Sequence, residues 1–477
     1  MPSAAGVHWA AMAPIARPRS PRSIPSRSLL GAVFRGRGVV SALVIAVAAP
    51  GCVQSEAIDP LVDCSTGAQN QRLLKRMREV YLWNDQIPEG IDPLAYESPA
   101  ALLDAIRYEE RDLWSHVSST ATTSAYYGEG KSVGLGLRWK FDPEGGFRVA
   151  MVYEGSAADG AGLARGDEVL KINGVDIATI EAEGRWATIT GGDAEGVPVT
   201  LDVRKAGGAP ETLSLQKRVY TVISVPEPRI LDVDGRKIGY LLVDRFIGPT
   251  YAELRSAFAV LHEARVDDLI VDMRYNGGGY TDASRLLASL IGGKALDGEA
   301  YNLTIHNERL RDEDGIARFS VTEHQLNLSR VAVIATGSTA SASELVINGL
   351  NPFIEVAVIG TDTYGKPVGS VAYEDCSLTV TPITFRSMNA AGEGGYYDGL
   401  PVDCPAEDQL SAPLGDPAEA SVKEAIHWLM SDVDDEEEHT ETCSAPVPEG
   451  AADASAARKP ERRPLQLRGL QQEIGAF

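Results

Sequence analysis

The stretch "TGSTASASELVINGL", Thr336 to Leu350, follows directly on the apolar run "RVAVIA" that begins at Arg330. A short run of β-branched and small apolar residues bounded by turn signals reads as a buried strand. What comes next reads as a helix entered through serines, alanines and threonines, where charged or bulky residues are expected. Two physical reasons would explain that mouth. The backbone there packs tightly, or one hydroxyl is kept free to react. Serine caps helices well, and a hydroxyl at a strand-to-helix junction also lies near free N–H groups that stabilise an oxyanion.

Working outward, strands alternate with helices from about Val225 to Met430. "KIGYLLVDRF", "DDLIVDMRY", a helix after Gly279, "RVAVIAT", a helix after Ala340 and "EVAVIG" succeed one another. Such alternation predicts an α/β layer, here taken as residues 225–432. The texture differs upstream. "SVGLGLRW", "FRVAMVY", "DEVLKINGVDI" and "PVTLDVRK" are short strand-like pieces cut by Gly, Asp and Pro turns, giving a β domain over 129–220. Leu73, Leu74, Met77, Val80 and Tyr81 recur at helical spacing, and a second helical stretch spans Pro99 to Arg107, so 65–125 is expected to be a small helical module. "DVDDEEEHTE" opens a polar end, 433–477, that is expected to be disordered. The fold class expected is multidomain, α/β with α+β.

The chain has 477 residues, a net charge of −23, 44% hydrophobic and 23% charged residues. Its length allows two or three domains. Its acidity excludes nucleic acid and anionic membrane surfaces as expected partners, since both need a basic face. Arg17, Arg19, Arg22, Arg27, Arg35 and Arg37 precede an apolar run from Val39 to Ala49 that is too short for a bilayer, which takes about 20 residues. It suits a signal segment over 1–52. "AAPGC" is similar to a bacterial lipoprotein box and would leave Cys52 lipidated, the one membrane link expected; Ala49 stands where leucine is usual. Beyond Cys52, Cys64, Cys376, Cys404 and Cys443 form an even set, which suggests disulfides in an exported protein. Cys376 and Cys404 flank a turn-rich segment and are the expected pair. His116, His262, His306, His324 and His427 are scattered, and "LHEAR" (Leu261 to Arg265) lacks the second histidine of a zinc helix, so no metal or cofactor is expected.

Two further stretches bear on chemistry. "DMRYNGGG", Asp272 to Gly279, ends a strand in three glycines that let backbone amides approach a ligand. "TYGKPVG", Thr363 to Gly369, sets one lysine among turn residues, and Pro367 pushes Lys366 out of the helical region. Each alone is also read as an ordinary turn or surface.

Together, in this order, the three resemble the C-terminal processing (tail-specific) peptidases, a Ser–Lys protease family. "GLGL", Gly134 to Leu137, with "GSAADGAGLARGDEVLKINGVDI" resembles a PDZ domain, which that family carries ahead of its catalytic core. The resemblance spans about Asn70 to Met430. It implies a crotonase/Clp-protease-like α/β core and a serine endopeptidase acting near apolar C-termini of exported or misfolded proteins. By alignment Ser341, rather than Ser343 or Ser338, is the nucleophile and Lys366 the general base. Ala342 with Gly278 or Gly279 would form the oxyanion hole. Gly134, Leu135, Gly136 and Leu137 would capture a peptide terminus. The family's lysine-orienting glutamine is Ser370 here, and Glu344 is the other polar candidate for that task. The alternative is an impaired, peptide-holding scaffold of the same fold.

A free lysine has a pKa of about 10.4 and is charged at neutral pH, so it cannot accept a proton. The Ser–Lys reading therefore predicts Lys366 buried, near Ser341, and unpaired with any carboxylate.

Overall fold

A computed structural model describes residues 62–431 together with Cys443 and Ser444. The expected signal segment, Cys52 and most of the acidic end fall outside the described residues.

The first module opens with α1 (Thr66–Val80) and α2 (Pro99–Ile106). Leu73, Leu74, Met77 and Val80 line the inner stripe of α1, as their spacing requires. Ser98 caps α2 by accepting from Ala101 N at 3.1 Å. The module continues into a strand, β1 (His116–Ser119), and a third helix, α3 (Thr120–Glu129). Periodicity did not reveal β1, because its pairing partner lies far along the chain.

The second domain comprises β2 (Lys131–Gly134), β3 (Leu137–Phe141), β4 (Phe147–Val152), β5 (Glu168–Ile172), β6 (Val175–Asp176), β7 (Pro198–Arg204), β8 (Glu211–Gln216) and β9 (Arg218–Thr221). Short helices α4 (Ala157–Gly160), α5 (Ile177–Ala182) and α6 (Trp186–Ile189) interrupt them. Its main sheet runs β3-β4-β5-β7-β8, leaving β3 at an edge, while β2 pairs with β9. Alternating inward residues, among them Leu137, Trp139, Val149, Leu201 and Val203, form its own core.

The third domain begins with the hairpin of β10 (Arg229–Val233) and β11 (Arg236–Leu242). Next come α7 (Thr250–Ala264), β12 (Asp268–Asp272), α8 (Thr281–Gly292), β13 (Ala300–His306), β14 (Gly315–Arg318), β15 (Arg330–Ala335), α9 (Ala342–Leu350) and β16 (Glu355–Gly360). Short strands β17 (Val368–Ser370), β18 (Tyr373–Asp375), β19 (Leu378–Thr381), β20 (Ile383–Met388) and β21 (Cys404–Pro405) precede α10 (Ala420–Met430). The main sheet is β10-β11-β12-β15-β16-β21, parallel from β11 onward. Residues of α7, α8 and α9 cover one face and α10 the other. Both faces being covered explains why β12 and β15 are apolar almost throughout.

A second sheet, β14-β13-β20-β17, and a third, β1-β19-β18, were not legible as such in the alternation. They bind the first module to the third domain. Leu73, Met77, Leu102, Trp114 and Val117 share one core with Val368, Val380 and Ile383. Leu82 N donates to Ile383 O at 2.9 Å, and Ile383 N to Ser115 Oγ at 2.9 Å.

The expected Cys376–Cys404 bridge is corrected by the structure. Cys64 pairs with Cys376, and Cys404 with Cys443. The partners are 312 and 39 residues apart, and proximity in sequence was the wrong guide. Cys443 and Ser444 are thereby held against the fold, Ser444 N donating to Glu424 at 2.8 Å, so this part of the acidic end departs from the expected disorder. Among the described residues no helix is long and apolar enough to cross a membrane.

The second domain is seated on the third through a buried ionic node. Asp408, with a side chain only 5% exposed, receives Lys140 Nζ at 2.8 Å and Arg165 Nη2 at 2.7 Å from the second domain. From the third it receives Tyr275 OH at 2.7 Å and Arg274 Nη1 at 2.9 Å. Burial works against its charge, yet Lys140, Arg274 and Arg165 hold the carboxyl well below the usual range.

Candidate active site

Two loops at the carboxyl ends of the parallel strands β12 and β15 are fastened to each other, the place where open α/β sheets build their sites. Ala340 N donates to Asn276 O at 3.0 Å and Ser343 Oγ to the same oxygen at 2.9 Å. Thr339 Oγ1 donates to Met273 O at 2.8 Å, and Thr336 Oγ1 donates to Arg274 O. The small hydroxyl residues at the helix mouth are thus mostly spent joining these loops. Ser341 is not one of those donors.

The join forces Ser341 into φ 57° and ψ −116°, a conformation non-glycine residues avoid, costing about 1–3 kcal/mol. It also brings Gly278 against Ser341. A Cβ on Gly278 would lie 2.8 Å from Ser341 Cβ and 3.0 Å from Ala342 N, and Gly278 itself has φ +106°. Gly279, at φ +134°, is pressed on Phe246, where a Cβ would lie 2.0 Å from the carbonyl oxygen. The two glycines are not equivalent as donors. Gly278 N–H is engaged by Asn276 Oδ1 at 2.9 Å. Ala342 N–H, at the first turn of α9, and Gly279 N–H have no acceptor among the described residues.

Glu344 is fully buried in the first turn of α9. Its Oε2 accepts from Ser341 N and Lys366 N, each at 2.8 Å, and its Oε1 from Gly365 N at 2.7 Å and Thr363 Oγ1 at 2.6 Å. One carboxylate oxygen therefore ties the backbone of Ser341 to that of Lys366. Burial pushes the Glu344 carboxyl up, against the pull of these four donors. The expected task was to orient the lysine amine; the observed contacts are to the lysine backbone.

Lys366 is part-buried in the extended segment before β17. Burial lowers its amine to about 8, partly opposed by Asp112 and Glu344. No carboxylate among the described residues pairs with the amine, which instead faces the Trp114 ring with Nζ 5.9 Å from the centroid. Asp112 is already committed to Tyr81 OH, Trp114 N and Ser115 N at 2.7, 3.0 and 2.8 Å. Ser370 lies on β17 and makes no hydrogen bond to the amine.

In the second domain the "GLGL" turn joins β2 to edge strand β3, with Leu135 and Leu137 fully buried. Gly134 ends β2, and Gly136 takes φ +74°, where a Cβ would lie 2.1 Å from Ser156 Cβ. The turn is braced from behind: Tyr153 N and Ser156 Oγ donate to Gly136 O at 2.9 and 3.1 Å, and Ala158 N to Leu135 O at 2.9 Å.

Cys404, Glu424 and Cys443 are the described residues that cluster as metal ligands would, but the two sulfurs are joined to each other. Sequence reading missed Asn276, Trp114 and Asp408. Asn276 sat inside a quoted motif, beside the glycines it braces. For Trp114 and Asp408 no local signal existed.

Comparison with known proteins agrees domain by domain. Residues 68–116 match the peptidase S41 N-terminal domain, 127–204 the PDZ domain, and 237–386 peptidase family S41. The carboxyl-terminal-processing protease of Synechocystis sp. is 26% identical over 239 residues, 50% of this chain and 53% of that one. The carboxy-terminal processing protease CtpA of Bacillus subtilis is 24% identical over 268 residues, 56% of this chain and 54% of that one. The chain spans about half the length of the curated relatives it matches. A crystal structure from Bacteroides fragilis assigned to the S41 proteases shares the fold, with a TM-score of 0.60 and 22% identity over 76% of this chain and 98% of that one. Fold and domain order thus define a PDZ-bearing protein with an S41-type core. In its domain order and its curated relatives the chain is similar to the C-terminal processing peptidases, with residues 237–386 matching peptidase family S41.

Proposed function

We infer that the protein is a serine endopeptidase that cuts exported or misfolded polypeptides near apolar C-termini, with Ser341 as nucleophile and Lys366 as general base. The observation that carries this reading is the lysine: its amine is desolvated and pairs with no carboxylate among the described residues, and its backbone is tethered through Glu344 to that of the serine. With a pKa of about 8, roughly a tenth of the amine is neutral at pH 7 and half at pH 8. In the working arrangement the flexible lysine stem brings the neutral amine to the Ser341 hydroxyl and takes its proton as the oxygen attacks the scissile carbonyl. The Ala342 N–H, at the positive end of α9, and the Gly279 N–H receive the developing oxyanion. The lysine then returns its proton to the leaving amine, and water releases the acyl group by the same steps.

The "GLGL" turn and the open edge of β3 support capture of a substrate tail as an added strand. Two disulfides support an oxidising compartment, in keeping with a lipid anchor at Cys52.

Protein lacking residues 1–52 is expected to degrade an unfolded substrate, to be labelled by a fluorophosphonate at Ser341, and to lose both properties in Ser341→Ala. Lys366→Ala abolishes hydrolysis. Full activity of Ser341→Ala would show that another group attacks. A folded wild-type protein that neither cleaves nor labels but still binds apolar tails would be a scaffold.

A further inference from the structure

We propose that Trp114, contributed by the first module, is the positioning residue of the Lys366 amine, its indole face closing the amine off from water where the family's glutamine is replaced by Ser370. This rests on Lys366 acting as the base. Three features carry it. The Trp114 ring is 2% exposed and stands 5.9 Å from Nζ, with Tyr364 set edge-on to it at 6.4 Å. Its backbone is fixed on both sides, because Asp112 Oδ1 accepts from Trp114 N and Ser115 N while Ser115 Oγ accepts from Ile383 N. Its indole N–H is buried with no acceptor among the described residues. The face of the ring, not its N–H, is what meets the lysine amine.

Two effects of the ring oppose each other. The negative face attracts an ammonium, which favours the charged form. The bulk of the ring removes water, which disfavours it. Nζ at 5.9 Å is near the limit of the first effect, whereas Trp114 and Val368 are buried in one apolar cluster with Tyr364 packed against it, so exclusion of water dominates. Asp112 and Glu344 are the charged groups felt by the amine, and both favour its charge. Removing the ring leaves them unopposed. The first module is then a working part of the site rather than an accessory: it delivers the surface that keeps the base neutral.

The test is the pH dependence of turnover in wild type, Trp114→Phe and Trp114→Ala. Trp114→Phe keeps an aromatic face and no N–H, and its midpoint stays where the wild-type midpoint lies. Trp114→Ala moves the midpoint upward by about one unit, so turnover near pH 7 falls about tenfold while the alkaline plateau is retained. Trp114→Leu, a milder cavity, shifts the midpoint in the same direction and serves if the alanine variant does not fold. A loss of turnover at every pH with an unmoved midpoint would overturn the proposal, since packing alone would do that. A second readout does not depend on catalysis. In Ser341→Ala protein, the rate of Lys366 acetylation by acetic anhydride, followed by peptide mass spectrometry against pH, titrates the amine directly. The same upward shift with Trp114→Ala is expected; an unmoved midpoint overturns the role of Trp114 even if hydrolysis proves to use another base.

Discussion

Replacing Lys366 with methionine separates stability from function. Folding takes the ammonium out of water and lowers its pKa from 10.5 to about 8, a penalty of about 3 kcal/mol on the charged form. Its sign follows from proton counting. Between about pH 8 and pH 10.5 the unfolded chain holds a proton that the folded chain has released, so wild-type stability rises with pH across that window. Below pH 8 the folded protein carries the ammonium and the full penalty. Methionine has similar length, is apolar and carries no charge. Lys366→Met is therefore expected to be more stable than wild type near pH 7, by up to about 3 kcal/mol, with the advantage fading toward zero by about pH 10.5. It should show no hydrolysis at any pH. Urea unfolding of both proteins near pH 7 and near pH 10 measures the difference, and the other titrating groups cancel in the comparison. A methionine variant that is less stable near pH 7, or shows a pH-independent difference, would mean the amine is hydrated in the folded protein. The neutral-base argument would fall with it.

Other consequences are equally open to measurement. Non-reducing peptide maps should join Cys64 to Cys376 and Cys404 to Cys443; a Cys376–Cys404 peptide would contradict the fold. Serine at both Cys64 and Cys376 should cost about 2–5 kcal/mol in urea unfolding by freeing the start of α1 from the third domain. Asp408→Asn removes the negative charge shared by Lys140, Arg165 and Arg274 and sets an NH₂ donor among those cations, so it should cost about 3–5 kcal/mol. It should also loosen the PDZ domain, seen as faster limited proteolysis near residues 218–228; an unchanged cleavage rate would show that the node does not seat that domain. Gly278→Ala introduces a Cβ 2.8 Å from Ser341 Cβ at φ +106°, and the displaced serine should lower kcat by about a hundredfold or more with a modest drop in Tm. Near-normal kcat would mean that the close approach of the two loops is not needed.

Much of the architecture could be read locally. Leu73, Leu74, Met77 and Val80 announce α1 by their spacing, and the apolar runs at 268–272 and 330–335 announce strands buried on both faces. The serines and threonines at the mouth of α9 posed the right alternatives, tight packing or a free hydroxyl. Thr336, Thr339 and Ser343 pack and bond, while Ser341 stands in a strained turn. Periodicity can announce an element because it depends on neighbours three or four residues away.

By itself, the sequence determined the order of the domains, the helices and strands with a clear period, and the three motifs that hold serine, glycines and lysine. Only the tertiary structure decided which cysteines join, that Glu344 binds two backbones rather than an amine, that Gly278 N–H is taken by Asn276 while Gly279 N–H is not, and that Trp114 faces Lys366. Each of these is a choice among partners, in most cases far apart along the chain. Spacing carries no information about such meetings, because they depend on how whole sheets and modules come to rest on one another.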